Sequence, residues 1–246
     1  MFQNYIHLLT TILDRVALAQ AGNIKRAGLV IAHALREGGI VHTFGSGHSH
    51  LIAEEAFFRA GGLVPVNPVL DEGLMFLRGA LESTRAEREP GLARRLFENS
   101  GARDGDAAII ISNSGRNAAP LEMAMEMKSR GVAVIAVTSL QHSQSSPATH
   151  LSGKRLFELA DVTIDNGAPA GDAAMRIPGL DTPMGPVSTV TGAAIVHSVM
   201  IEAARELLRF GIPVPVFRSV NVAGESEEAL IELMRSYSER IRFFNI

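Results

Sequence analysis

The stretch AAIIISNSGRN, residues 107–117, decides the fold. Five apolar residues, Ala107 to Ile111, stop abruptly. Ser112, Asn113, Ser114, Gly115 and Asn117 follow, and a helical pattern opens at Ala118 with Pro120 in its first turn. A short apolar run bounded by turn residues is a strand buried on both faces, the kind found in parallel sheets. In an open parallel sheet, ligands bind where such strands give way to helices.

The same form recurs earlier. Ile40 to Phe44 reads as a strand, Gly45-Ser46-Gly47-His48-Ser49 as its turn, and residues 50–60 as the helix that follows, closed by Gly61-Gly62. Val132 to Val137 is a third apolar strand and Val162-Thr163-Ile164 a short fourth. Val64, Val66 and Val69, interleaved with Pro65 and Pro68, read as an irregular or edge strand. Helical spacing is expected over 2–21, 24–36, 80–99, 118–130, 188–209 and 226–240, with Gly22-Asn23 ending the first helix. Residues 165–187 are too long for an ordinary connection, and such loops are usually functional or disordered. Apolar strands alternating with helices of ten or more residues make an α/β protein, a parallel sheet with helices on both faces.

The 246 residues fit one domain, with a core at about 24–210, an N-terminal helical extension (1–23) and a C-terminal extension (211–246). A net charge of −3 with 46% hydrophobic residues gives no general affinity for nucleic acid or acidic membranes. The absence of cysteine removes disulfide and thiolate chemistry. The N-terminus lacks a basic start and is interrupted by Asn4, His7, Asp14 and Arg15, unlike a signal peptide. No apolar run reaches the roughly 18 residues of a membrane span. The expectation is a soluble cytoplasmic protein.

Each of the two turns offers a helix N-terminus with unpaired N–H groups and the positive end of a dipole. Glycine lets backbone approach a ligand, and Ser or Asn adds short donors, which together make a phosphate cradle. One such loop is ordinary capping chemistry. Two, with Ser188-Thr189 at a third helix start, point to a ligand. The G-S-G-H-S-H of residues 45–50 lacks the third glycine of a dinucleotide fingerprint, and no Gly-Lys-Ser/Thr occurs, so a P-loop is excluded. The phosphate then belongs to a small metabolite.

These residues carry a resemblance to the SIS (sugar isomerase) domain family. Ser112-Asn113-Ser114-Gly115-Arg116-Asn117 resembles its central phosphate loop, Gly45-Ser46-Gly47-His48-Ser49 its first loop, and Pro186-Val187-Ser188-Thr189 its third Ser/Thr element. The stretches GSGHSH, DNGAPAGDA and PVFRSVN (Pro215–Asn221) resemble a branch described as phosphoheptose-isomerase-like. The resemblance implies a five-stranded flavodoxin-like sheet, a phosphorylated sugar as ligand, and a homodimer or higher homo-oligomer with sites near the subunit interface.

Aldose–ketose isomerisation needs a base that moves a proton between adjacent carbons and an acid for the ring oxygen. A glutamate on the helix after the first loop is the base in related isomerases, which implies Glu55, or Glu54 beside it. His48, inside the first loop, is a candidate to donate to phosphate or to act as acid. Gly47, Ser49, Ser112, Asn113, Ser114, Gly115, Asn117, Ser188 and Thr189 would bind phosphate or sugar. Asp172, in the Gly-Asp-Ala triplet of the resembling branch, joins them, with Ser219 and Asn221 closing the site. His42, within a strand, reads as packed, and His197, in an apolar helix, as a core or interface residue. No cofactor is expected, and no metal, because His48 and His50 at i,i+2 do not share a helix face. Two alternatives to an isomerase remain: cleavage of a sugar-phosphate ether on the same scaffold, and a phosphosugar sensor without catalysis. The first 40 residues are too few and too weakly basic for a helix-turn-helix module.

Overall fold

Ala107–Ile111 is the central strand, β3, of a five-stranded parallel sheet. The others are β1 (Val41–Gly45), β2 (Val66–Val69), β4 (Ala133–Thr138) and β5 (Val162–Asp165), in the order β2-β1-β3-β4-β5. This computed structural model describes residues 1–219, 221 and 226–245. Val220, inside the stretch Pro215–Asn221, and residues 222–225 and 246 of the expected C-terminal extension lie outside the described residues. Val41, Ala107 and Ala133 stand in register across the three inner strands. The order is that of flavodoxin-like sheets, in which the chain runs outward from β1 to β2 and then reverses to β3. The apolar runs are explained by burial: every residue of β1, β2 and β3 is buried.

The sheet's two faces carry separate cores. Val41, Ile109, Ile111, Ile135, Val137 and Ile164 pack with α1 (Phe2–Ala19), α2 (Ala21–Arg36), α3 (His48–Glu55) and α9 (Ser188–Arg209). Phe44, Ala108, Ile110, Val134 and Ala136 pack with α5 (Leu92–Glu98), α6 (Ala118–Ser129) and α8 (Leu156–Leu159). Successive side chains of a strand point to opposite faces, so alternate residues of one run feed different cores. A third cluster joins Ile40, Val64 and Phe217 to Ile241 and Phe244 near the C-terminus. There α10 (Glu227–Arg235) begins at Ser226, whose Oγ accepts from the Ala229 N–H.

Five features differ from the sequence reading. The first helix break falls at Gln20, and Gly22-Asn23 lie inside α2, where the Asn23 amide donates to Gln20 Oε1. α3 starts at His48 and ends at Glu55, short of residue 60. The single helix expected over 80–99 is two, α4 (Ala80–Ala86) and α5, because Pro90 and Gly91 (φ +86°) interrupt it. The long segment 165–187 holds an antiparallel pair, β6 (Ala173–Met175) with β7 (Met184–Pro186). The remaining short helix, α7 (Leu140–Gln144), follows β4. The C-terminal helix is α10 alone, shorter than 226–240.

Candidate functional site

The reversal of strand order between β1 and β3 sends the chain after each strand to opposite faces, α3 to one and α6 to the other. A crevice opens between the two turns, as the topology requires. It is a pocket of about 530 Å³ lined by Ser46, Gly47, His48 and Ser49 from the first turn and Ser112, Asn113, Ser114, Arg116 and Asn117 from the second. Phe76, Glu87, Arg88, His142, Asp172 and Ser188 complete its wall.

Glycine is required where these turns are tightest. A Cβ on Gly45 would stand 2.4 Å from the Ser49 carbonyl oxygen. Gly115 has φ +58°, and a Cβ there would meet Thr138 Oγ1 at 2.9 Å. The first turn is held by the Gly47 N–H donating to the Leu74 carbonyl, and the His48 ring leans on Phe76 at 4.8 Å. In the second, Ser112 Oγ accepts from the Gly115 N–H at 3.1 Å, and Asn113 Oδ1 accepts from the Asn166 amide. Ser114 lines the pocket and its hydroxyl has no protein partner among the described residues.

Glu87, at the end of α4, ties the two turns together. Its Oε2 accepts from Ser46 Oγ at 2.9 Å and its Oε1 from Asn117 Nδ2 at 2.6 Å. Asn117 is the N-cap residue of α6, yet its side chain makes no capping bond, so the helix N-terminus is not closed by its own cap. Burial raises the Glu87 carboxyl above its ordinary value, against the opposing pull of the Ser46 hydrogen bond and the Arg88 charge. On the far wall, burial and the nearby Arg116 charge lower the His142 imidazole below its ordinary value, while Asp172 opposes them. Asp172, itself at φ +70°, places Oδ1 on the N–H groups of Val187 and Ser188 at 3.0 and 2.8 Å, and Oδ2 on Ser188 Oγ at 2.7 Å. The start of α9 is therefore occupied by the protein's own carboxylate.

The model of the SIS domain matches residues 4–139, which include both turns. The chain belongs to the SIS domain family. A UPF0309 protein of Listeria innocua is 40% identical over 243 residues, 98% of this chain and 97% of the other. A solved structure of the phosphoheptose isomerase GmhA from Neisseria gonorrhoeae is similar at TM-score 0.57 and 15% identity, over 83% of this chain and 97% of that one. The Vibrio vulnificus NanR protein, solved in complex with ManNAc-6P, is similar at TM-score 0.50 and 13% identity, over 96% of this chain and 67% of that one. At these identities the structural likeness is one of fold.

Not every expected residue reaches the crevice of this SIS domain. Glu54 pairs with His50, and Glu55 pairs with Arg59 and with His197 Nε2 at 3.3 Å. Both glutamates sit near the end of α3, roughly 10 Å along the helix from His48 by the 1.5 Å rise per residue, and neither lines the pocket. Thr189 and Gly115 are not among the residues that line the crevice. Ser219 accepts from the Asn221 N–H, on a segment that pairs with Gly61, Gly62 and Leu63 ahead of β2, away from the strands' carboxyl ends. His42 is fully buried and bonded to Asp106, as a packed histidine. Sequence reasoning missed Glu87, Arg88, Arg116 and His142. The Pro90-Gly91 break was the one available signal that Glu87 stands at a helix end.

Proposed function

We propose that this chain binds a phosphorylated sugar in the crevice between residues 45–49 and 112–117 and interconverts its aldose and ketose forms. The observation that carries the reading is the convergence of both turns on one pocket, where helix N-termini, short hydroxyls, Arg88 and Arg116 meet. Such a set complements a phosphate. The proteins of similar fold named above, an isomerase of a phosphorylated sugar and a protein holding ManNAc-6P, agree with it.

The reaction removes the proton from C2, returns one to C1 and moves a hydroxyl proton from O2 to O1, so nothing is gained or lost. Within the pocket, Glu87 is the carboxyl placed to carry that proton. Burial raises its carboxyl above the ordinary glutamate value, the direction that helps a carboxylate take up a proton. His48, exposed at the mouth against Phe76, then donates to the ring oxygen. Gly47, Ser49, Ser112, Asn113, Ser114 and Asn117 hold the phosphate, and Gly115 shapes the turn that presents them. Asp172 and Ser188 border the sugar. A second reading gives the proton to Glu55, because its pairing with His197 is a half-exposed carboxylate–imidazole pair of the kind that does acid–base work. The homo-oligomer and the cytoplasmic setting belong to the same proposal.

A thermal-shift screen of sugar phosphates against the parent sugars tests binding, and NMR in deuterated water tests exchange at C2. Stabilisation by the phosphate ester but not the free sugar is expected. Ser114→Ala is expected to weaken the ester more than the free sugar, and equal effects would remove Ser114 from the phosphate site. Exchange lost in Glu87→Gln and kept in Glu54→Gln and Glu55→Gln assigns the base to Glu87. The opposite pattern assigns it to Glu55. Tight binding without exchange of any ester means a sensor, and release of an ether substituent means a lyase.

A further inference from the structure

His142 stands on α7, directly after β4. Its backbone N–H donates to Ser139 Oγ, which fixes the helix start, and its ring lines the crevice. Nδ1 is buried and has no hydrogen-bond partner among the described residues. Two neighbours are in the same condition, Arg116 Nε and Ser143 Oγ. Ser143 Oγ lies 3.1 Å from where a Cβ on Gly115 would be, so these orphaned atoms surround the second turn. Buried polar atoms are almost always paired, so these unpaired ones call for a partner, and two of the three residues, Arg116 and His142, line the crevice.

The ligand atom at His142 has a definable character. Burial, and then the Arg116 charge, favour the neutral form of the ring, against the pull of Asp172. A neutral imidazole has one donor and one acceptor nitrogen and no charge to offer a phosphate. The turns and the two arginines already serve the phosphate. The strand order sets the loops after β1, β3, β4 and β5 side by side along the carboxyl edge of the sheet. A ligand with its phosphate between the first two extends past His142 toward Asp172.

Resting on the phosphosugar reading above, we propose that His142 Nδ1 binds a hydroxyl or carbonyl oxygen of the sugar and thereby distinguishes a sugar phosphate from bare phosphate. Calorimetric titration of wild type, His142→Ala, His142→Asn and His142→Gln with glucose 6-phosphate, N-acetylmannosamine 6-phosphate, ribose 5-phosphate and inorganic phosphate tests it. His142→Ala weakens the tightest-binding sugar phosphate about tenfold, the upper range for one lost hydrogen bond, and leaves inorganic phosphate unchanged. His142→Asn, whose amide stands where Nδ1 was, restores most of the affinity, and His142→Gln, which imitates Nε2, does not. Should the alanine variant fail to fold, the contrast between Asn and Gln decides. Equal loss for sugar phosphate and inorganic phosphate, no loss for either, or rescue by Gln alone overturns the assignment. Wild type that binds none of the four probes sinks the phosphosugar reading itself, and His142 with it. Wild type that binds sugar phosphates with His142→Ala unchanged sinks only the role of His142.

Discussion

Glu87 joins a hydroxyl of one turn to an amide of the other, and its carboxyl is held above the ordinary glutamate value of 4.5 by burial. If it carries the proton, the acid limb of the kcat/KM profile lies above that value, because the base must first lose its own proton. Glu87→Gln is then expected to lower C2 exchange by about 100-fold or more, in the range for a lost acid–base group, with little change in ligand-induced thermal shift. The sign for stability is separate. A raised pKa favours the folded state at low pH, and that contribution fades as pH rises through the folded value. Gly115 sets a second expectation. With φ +58° and no room for a Cβ, Gly115→Ala should cost about 1–2 kcal/mol from the left-handed backbone alone, read as a lower urea midpoint, and should displace the second turn enough to weaken phosphate binding.

At the scale of elements, the helix starts around the crevice are treated differently. α6 has an N-cap whose side chain is engaged by Glu87, and Ser114 beside it is unbonded. α9 has its first N–H groups on Asp172. An anion at a helix N-terminus is stabilising, and Asp172 takes that place at α9, whereas at α6 the Ala119 N–H donates to the Glu87 carbonyl at 3.0 Å and Pro120 has no N–H to offer. Asp172→Ala is expected to lower stability by about 1–2 kcal/mol through the lost cap, and to loosen the β6–β7 pair, measurable as faster amide exchange at Val187 and Ser188. The alternation of apolar runs made both helices and strands legible from the sequence, because their periods are local properties of the chain. The break between α4 and α5 was missed although Pro90-Gly91 announced it, because helical charge spacing on either side masked the interruption.

Over the whole molecule, one buried network anchors the end opposite the crevice. Asp106, just ahead of β3, accepts from the Ile40 and Arg103 N–H groups, from His42 Nε2 and from both sides of the Arg240 Nη2 contact at 3.0 and 2.7 Å. Burial opposes its ionisation, and the hydrogen bonds outweigh that and bring the carboxyl down to about 2. A depressed folded value means stability that is present above the unfolded pKa, 3.8, and is lost as pH falls through about 2. The amount is on the order of 2 kcal/mol, visible as a sloping unfolding free energy between those pH values. Arg240→Met should cost about 3 kcal/mol by leaving a buried charge short of a partner, release Ile241 and Phe244 from their cluster, and move acid unfolding to higher pH.

The sequence alone determined the alternating strands and helices and both glycine turns, because each depends on residues adjacent in the chain. It did not determine which carboxylate lines the crevice. Glu54 and Glu55 follow the first turn closely in sequence, but the helix carries them away from the pocket. Glu87 meets Ser46 and Asn117 across 41 and 30 residues, and His142 meets the second turn from another strand's loop. Those meetings follow from the reversal of strand order at β1 and β3, a property of how the chain crosses itself, which no local pattern encodes.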